Sequence, residues 1–232
     1  MIRFLLVLIL PISLLSASVQ AQEWDIDKIS DYHEWTFRMT RAGDSLGYTR
    51  WSIRRMGEQL LLSEESRVPS FSEDIFMYVN AASLQPDSAL VTGRMSGYPI
   101  ECKAHWQDGQ VSGFANFPRH PSRPTINLGQ ALAPGTVTRF ASFVLSPFYK
   151  ALAVGDTFSY DQFNTTDGQV RTITATVTAV ETVMVMGQSV EALKLELSGG
   201  VAAQNLFIDP KRSRIVKISF RDIDWIYELI SD

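Results

Sequence analysis

The chain holds a single cysteine, Cys102, and three histidines, His33, His105 and His120, in 232 residues. One thiol cannot form an internal disulfide, so the fold has to be held by its core. The histidines lie far apart with no metal-ligand spacing, and no glycine-rich phosphate loop accompanies them. No metal, no cofactor and no catalytic residue is expected, and the sequence predicts a protein that is not an enzyme. Charge of one sign is scarce too, with 21 Lys and Arg against 25 Asp and Glu. That balance argues against a nucleic-acid partner and against strong attachment to anionic lipid. Long apolar runs are also missing. The longest, Phe4 to Leu15, spans about twelve residues where a transmembrane helix needs ~20.

That run belongs to a leader. Arg3 supplies the positive start, the apolar stretch comes next, and Val19-Gln20-Ala21 ends in a small-x-Ala cleavage signal. Residues 1–21 are therefore predicted to be a signal peptide, with the mature protein beginning at Gln22 as one β-rich domain to residue 232. No cysteine adjoins the cleavage point, so no lipid anchor is expected. The expected location is the periplasm, with no membrane span after cleavage. Removing Arg3 with the leader leaves 20 basic residues and moves the net charge from −4 to −5.

Strand signals dominate what remains. Ile173, Ala175, Val177 and Ala179 alternate with Thr172, Thr174, Thr176 and Thr178, a period of two with one apolar face. Leu193, Leu195 and Leu197 repeat it, and Met186-Gly187-Gln188 between them predicts a tight hairpin. Upstream, His33, Trp35, Phe37 and Met39 share one face of a strand. Further strands are predicted at 47–56, 59–68, 70–80, 98–106 and 110–117. Pro86-Asp87 reads as a turn. After residue 156, strands resume at 157–163, 201–208, 215–220 and 225–229. In the strand at 98–106, Cys102, Ala104 and Trp106 fall on the face opposite Glu101, Lys103 and His105. A Cys–His dyad is excluded by that alternation, and a buried, unreactive thiol is expected.

Residues 136–154 interrupt the pattern. Val137, Phe140, Ala141, Val144, Leu145, Phe148 and Leu152 recur at helical spacing. Pro147 cannot sit inside an unbroken helix, so two short helices with a kink are predicted, covering the apolar face of the sheet. The fold expected is mainly β: a curled antiparallel meander of about a dozen strands, a half-barrel or partly open barrel, with that helical segment on its apolar face.

The order of the second half is similar to a family of exported bacterial proteins known as a domain of unknown function. The residues that carry the likeness are Gly155-Asp156, the strand ending Ala179-Val180-Glu181, Val183 to Gly187, Ala192 to Leu195, and Phe207-Ile208-Asp209-Pro210 before Ile215-Val216-Lys217. The plan also resembles, in architecture, the lipoprotein-carrier half-barrels of the bacterial periplasm. The likeness implies a periplasmic compartment; it brings no catalytic residue.

The function expected is non-catalytic binding of a hydrophobic ligand, such as a lipid or acyl chain, in the interior between sheet and helix. Trp35, Met39, Met77, Phe140, Phe148, Met184 and Met186 are the candidate lining, since methionine adapts to irregular apolar ligands. The alternative is a cell-envelope module that binds another protein and has no pocket, betrayed by an exposed apolar patch. Paired acids such as Glu64-Glu65 and Asp222/Asp224 are read as solvated carboxylates at turns or strand edges.

Overall fold

A computed structural model describes residues 20–21 and 23–232. Most of the predicted leader, and the residue after its cleavage point, lie outside the described residues. In chain order the strands begin with β1 (Gln20–Ala21), β2 (Tyr32–Arg41), β3 (Asp44–Met56), β4 (Gln59–Val68), β5 (Phe71–Asn80) and β6 (Pro86–Met95). Next come β7 (Tyr98–Gln107), β8 (Gln110–Asn116), β9 (Ile126–Ala131) and β10 (Val137–Thr138). Helix α1 (Arg139–Val144) and a 3-10 turn at Ser146–Phe148 lead into β11 (Thr157–Asn164), β12 (Gln169–Val185) and β13 (Gln188–Ser198). The last three are β14 (Gln204–Asp209), β15 (Arg214–Phe220) and β16 (Trp225–Ser231).

All of them join one sheet, ordered β11 to β16, then β2 to β9, with consecutive strands antiparallel and β16 paired with β2. The short β1 and β10 pair in parallel with β11. Hairpin chemistry explains most of the connections. At the β12–β13 turn, Met186 and Gly187 both take positive φ, 49° and 78°, the geometry of a two-residue turn that matches strand twist. Alternation then decides which face is buried. Trp35, Phe37 and Met39 of β2 point inward, as do Leu60 and Leu62 of β4 and Ile75, Met77 and Val79 of β5.

The sheet curls until its ends meet without closing. Gln130 Nε2 of β9 donates to the Gly168 carbonyl in the β11–β12 turn at 3.1 Å, and Trp106 of β7 meets the ring edge of Phe163 of β11 at 6.0 Å. No strand ladder joins β9 to β11 among the described residues, so the barrel stays open. Glycine permits close strand approach on the way, as at one position of β6. Gly93 of β6 has φ +155°, and a Cβ there would stand 2.0 Å from the Ser72 carbonyl oxygen. Only the bare α-carbon lets β5 and β6 approach at that point.

Two expectations are corrected here. Pro86 opens strand β6 rather than a turn, which suits proline because its missing N–H costs no ladder bond at a strand's first residue. The helical segment is also smaller than its spacing suggests. The helix spans six residues, capped by the Thr138 hydroxyl accepting from the Ala141 N–H at 3.3 Å, and Pro147 confines the next residues to a 3-10 turn. It enters the curl rather than lying over it. Phe140, Ala141, Val144, Leu145 and Phe148 are all buried, with Phe140 against Trp51 and Phe148 against Trp35 and His33.

Candidate functional site

A cavity of about 400 Å³ remains at one end of the curl. Its walls come from β3 to β6 on one side, from β14 to β16 on the other, and from α1 and the Asn164–Thr166 turn between them. Most of the wall is apolar, supplied by side chains such as Phe71, Val91, Phe140, Phe143, Ile218 and Phe220. Among the described residues that line it, only Glu64, Glu73 and Arg139 are charged.

Strand periodicity puts both carboxyls inside. Glu64 is in phase with Leu60 and Leu62 on β4, and Glu73 with Ile75 and Met77 on β5. Glu73 pairs directly with Ser66 of β4 and Gly93 of β6, so Glu64, two residues from Ser66, is its diagonal neighbour on the same face. Protein encloses both side chains, yet each keeps accessible surface because it faces the cavity. Their settings differ. Glu64 accepts from the Ser66 hydroxyl at 2.5 Å and from Thr49 at 3.3 Å. The Glu73 carboxyl accepts no hydrogen bond among the described residues.

Burial raises the pKa of both groups by penalising the charged form. For Glu64 the hydroxyls of Ser66 and Thr49, the charge of Arg139 and the nearby Trp51 indole N–H pull in the opposite direction. That indole stands opposite Glu64 in the strand register, though its N–H falls short of hydrogen-bond geometry. Glu73 has the Arg139 charge alone to lower it and is pushed up to about 8, first by burial and then by the Glu64 charge. Glu73 therefore keeps its proton into the neutral range, and the two carboxyls titrate as a pair. Arg139 reaches the cavity from the first turn of α1 and makes no direct ion pair among the described residues; its guanidinium carbon is 6.0 Å from the Phe143 ring centre. Tyr227 of β16 joins from across the cavity, and burial together with the Glu64 charge keeps its phenol protonated.

The residues predicted to line a ligand site do not gather around one cavity. Phe140 lines the cavity. Trp35, Met39, Met77 and Phe148 are buried as core outside its lining, and Met77 takes a hydrogen bond from the Thr138 hydroxyl through its sulfur at 2.8 Å. Met184 and Met186 are 65% and 47% exposed on the β12–β13 hairpin, so neither can line an interior. Glu64 in turn is not the solvated carboxylate at a turn or strand edge expected of it, and Glu65 is mid-strand as well, on the outer face, where it pairs with Arg50 and Arg67. The signal that could have found Glu64 and Glu73 was present: an acid in phase with the apolar positions of its own strand.

Fold and cavity together define a β-barrel-like protein with an amphiphilic interior. A β-barrel-like protein of the domain-of-unknown-function family DUF1849 from Brucella abortus has a similar fold, with a TM-score of 0.54 at 11% identity over 86% of this chain and 96% of that one. No protein-family model matches the chain, and no curated protein matches it in sequence.

Proposed function

We propose that the protein is an exported, non-catalytic binding protein of the bacterial cell envelope whose barrel interior takes a small hydrophobic or amphiphilic molecule. The observation that carries this reading is the cavity, apolar on most of its wall and charged on one part. Its volume, about 400 Å³, lies at the lower end of the range of small-molecule sites, which suits one short chain or ring system and not a whole diacyl lipid. Export rests on the leader sequence. Against catalysis stand the dispersed histidines: His33 is half-buried and stacked with Trp35, His105 is exposed on β7, and His120 lies beside Tyr98. Cys102 is buried and its thiol is pushed up to about 12 by burial and the Glu73 charge, so it is no nucleophile.

A neutral apolar dye, N-phenyl-1-naphthylamine, tests the reading. Saturable fluorescence enhancement in the micromolar range is expected. Ala202→Trp, which places an indole at the cavity wall, should abolish it without lowering the melting temperature, while Met184→Trp on the outer hairpin should leave it unchanged. Absence of saturable binding by the unmodified protein would refute the reading.

A second reading has its own observation. Val180, Met184 and Met186 are exposed together on the β12–β13 hairpin, an apolar tip of the kind a protein-binding envelope module would use. Met184→Ser with Met186→Ser should then abolish partner capture and leave dye binding intact.

A further inference from the structure

We propose that the cavity binds an organic cation, a primary ammonium group carried on an apolar body, with Glu73 and Gln204 receiving the ammonium and the aromatic wall receiving the body. The proposal rests on the binding reading above and narrows its ligand class. Three observations lead to it. The first is the charge of the lining, two carboxyls against one guanidinium, which is one positive charge short of balance when both carboxyls are ionised. The second is that the two carboxyls differ in what they already hold. Ser66 and Thr49 occupy Glu64, whereas the Glu73 carboxyl faces the cavity with no hydrogen-bond donor among the described residues. The third comes from the opposite wall. Gln204 of β14 is 4% exposed, and its Oε1 is a buried acceptor with no partner. A buried acceptor left without a donor is costly, and Gln204 lines the cavity, so a small turn of its amide would bring a second acceptor to whatever enters.

An alkylammonium meets each of these needs. Its three N–H donors suit acceptors on facing walls, and its charge replaces the proton that the Glu64–Glu73 pair retains at neutral pH. Its carbon chain packs on Phe140, Phe143 and Phe220. An anion would instead face two carboxyls with only Arg139 in its favour.

Binding of a cation by this route releases a proton, and the surroundings of Glu73 set the direction of the pH effect. Facing it are Glu64 from β4, Arg139 from α1, Tyr227 from β16 and Cys102 from β7, with Asp74 beside it on β5. Burial keeps Tyr227 and Cys102 protonated through the neutral range, so the carboxyl pair is what titrates there. Affinity for the ammonium should rise with pH and level off above about 8, where Glu73 is ionised without help.

Calorimetric titration with octylamine, octanol and octanoate, three probes sharing one apolar body, tests this on the full mature protein. Octylamine should bind at least ~10-fold tighter than octanol at pH 9, and the advantage should shrink by up to ~10-fold per pH unit below 8. Titrations at pH 7 in two buffers of different ionisation heat should show proton release with octylamine and none with octanol. Glu73→Gln, which keeps the shape and removes the charge, should erase both the proton release and the preference while octanol affinity holds. Gln204→Leu, an independent variant, should weaken octylamine alone. Octanol binding as tightly as octylamine, or octylamine affinity independent of pH, would overturn the cation assignment and leave the binding reading standing. Failure of all three probes, together with failure of the naphthylamine dye, would overturn both.

Discussion

Two carboxyls, each next in phase to a buried hydrophobe of its own strand, show how far one residue's setting outweighs its type. Glu64 and Glu73 sit on the inner face because a strand's period of two admits no exception for charge. The proton that Glu73 retains has a consequence for stability. Its folded pKa is about 8 against an ordinary 4.5, so the folded chain holds a proton that the unfolded chain has lost across that window. The stabilisation linked to this proton is complete below 4.5 and is lost as pH rises towards about 8. Chemical denaturation at several pH values should therefore show Glu73→Gln gaining stability relative to wild type as pH rises through that window, with no further gain above it. A constant difference across the window would show that Glu73 titrates as it does in solvent. The phase of Glu64 with Leu60 and Leu62, and of Glu73 with Ile75 and Met77, was legible in the sequence. What hid the pair was the general habit of carboxylates to be solvated, which a curled sheet with a cavity inside overrules. Arg139 could not be placed beside them from sequence at all, because only the curl brings α1 against β4 and β5.

Among the elements, the strands were the most readable. Gln59–Val68 has the same bounds in sequence pattern and structure, and the Met186-Gly187 turn lies where its chemistry put it. The segment at 136–154 was readable in type and wrong in extent. Its apolar spacing of three and four continues past Val144, but Pro147 removes the N–H that a longer helix would use. The buried side chains then serve as a plug for the interior. Phe148 is fully enclosed beside His33 and Trp35, whereas Phe140 borders the cavity. Truncation of Phe148 should cost about 3–5 kcal/mol, since lost burial and a new void add together. Phe140→Ala should fall at or below the low end of that range, because part of its ring already faces open space and less packing is lost. Equal losses in urea denaturation would contradict that ordering.

For the whole molecule, one hydrophobic cluster runs from Ile29 in the first part of the chain to Leu229 in its last strand, with the plug residues in the middle. Neither half of the sheet buries its inner face alone. Unfolding should thus be a single transition, with tryptophan fluorescence and far-ultraviolet circular dichroism giving one midpoint in guanidinium. Separated midpoints would show two independent units. The pairing of β16 with β2 adds something that concerns time rather than stability. From β11 round to β9, each other neighbouring pair is a local hairpin or short connection, so that part of the sheet order is the chain order cut at the helical segment and rejoined through β16 and β2. A circular permutant that began at β11, ran through β16 into β2, and finished with β9 and the plug would make every one of those pairings consecutive. In the natural order, two meanders form from near neighbours, and the loop-closure entropy of joining them is concentrated in the one seam between residues 36–41 and 225–231. The seam is thereby the expected slow step of folding, which a faster-folding permutant of that kind would show.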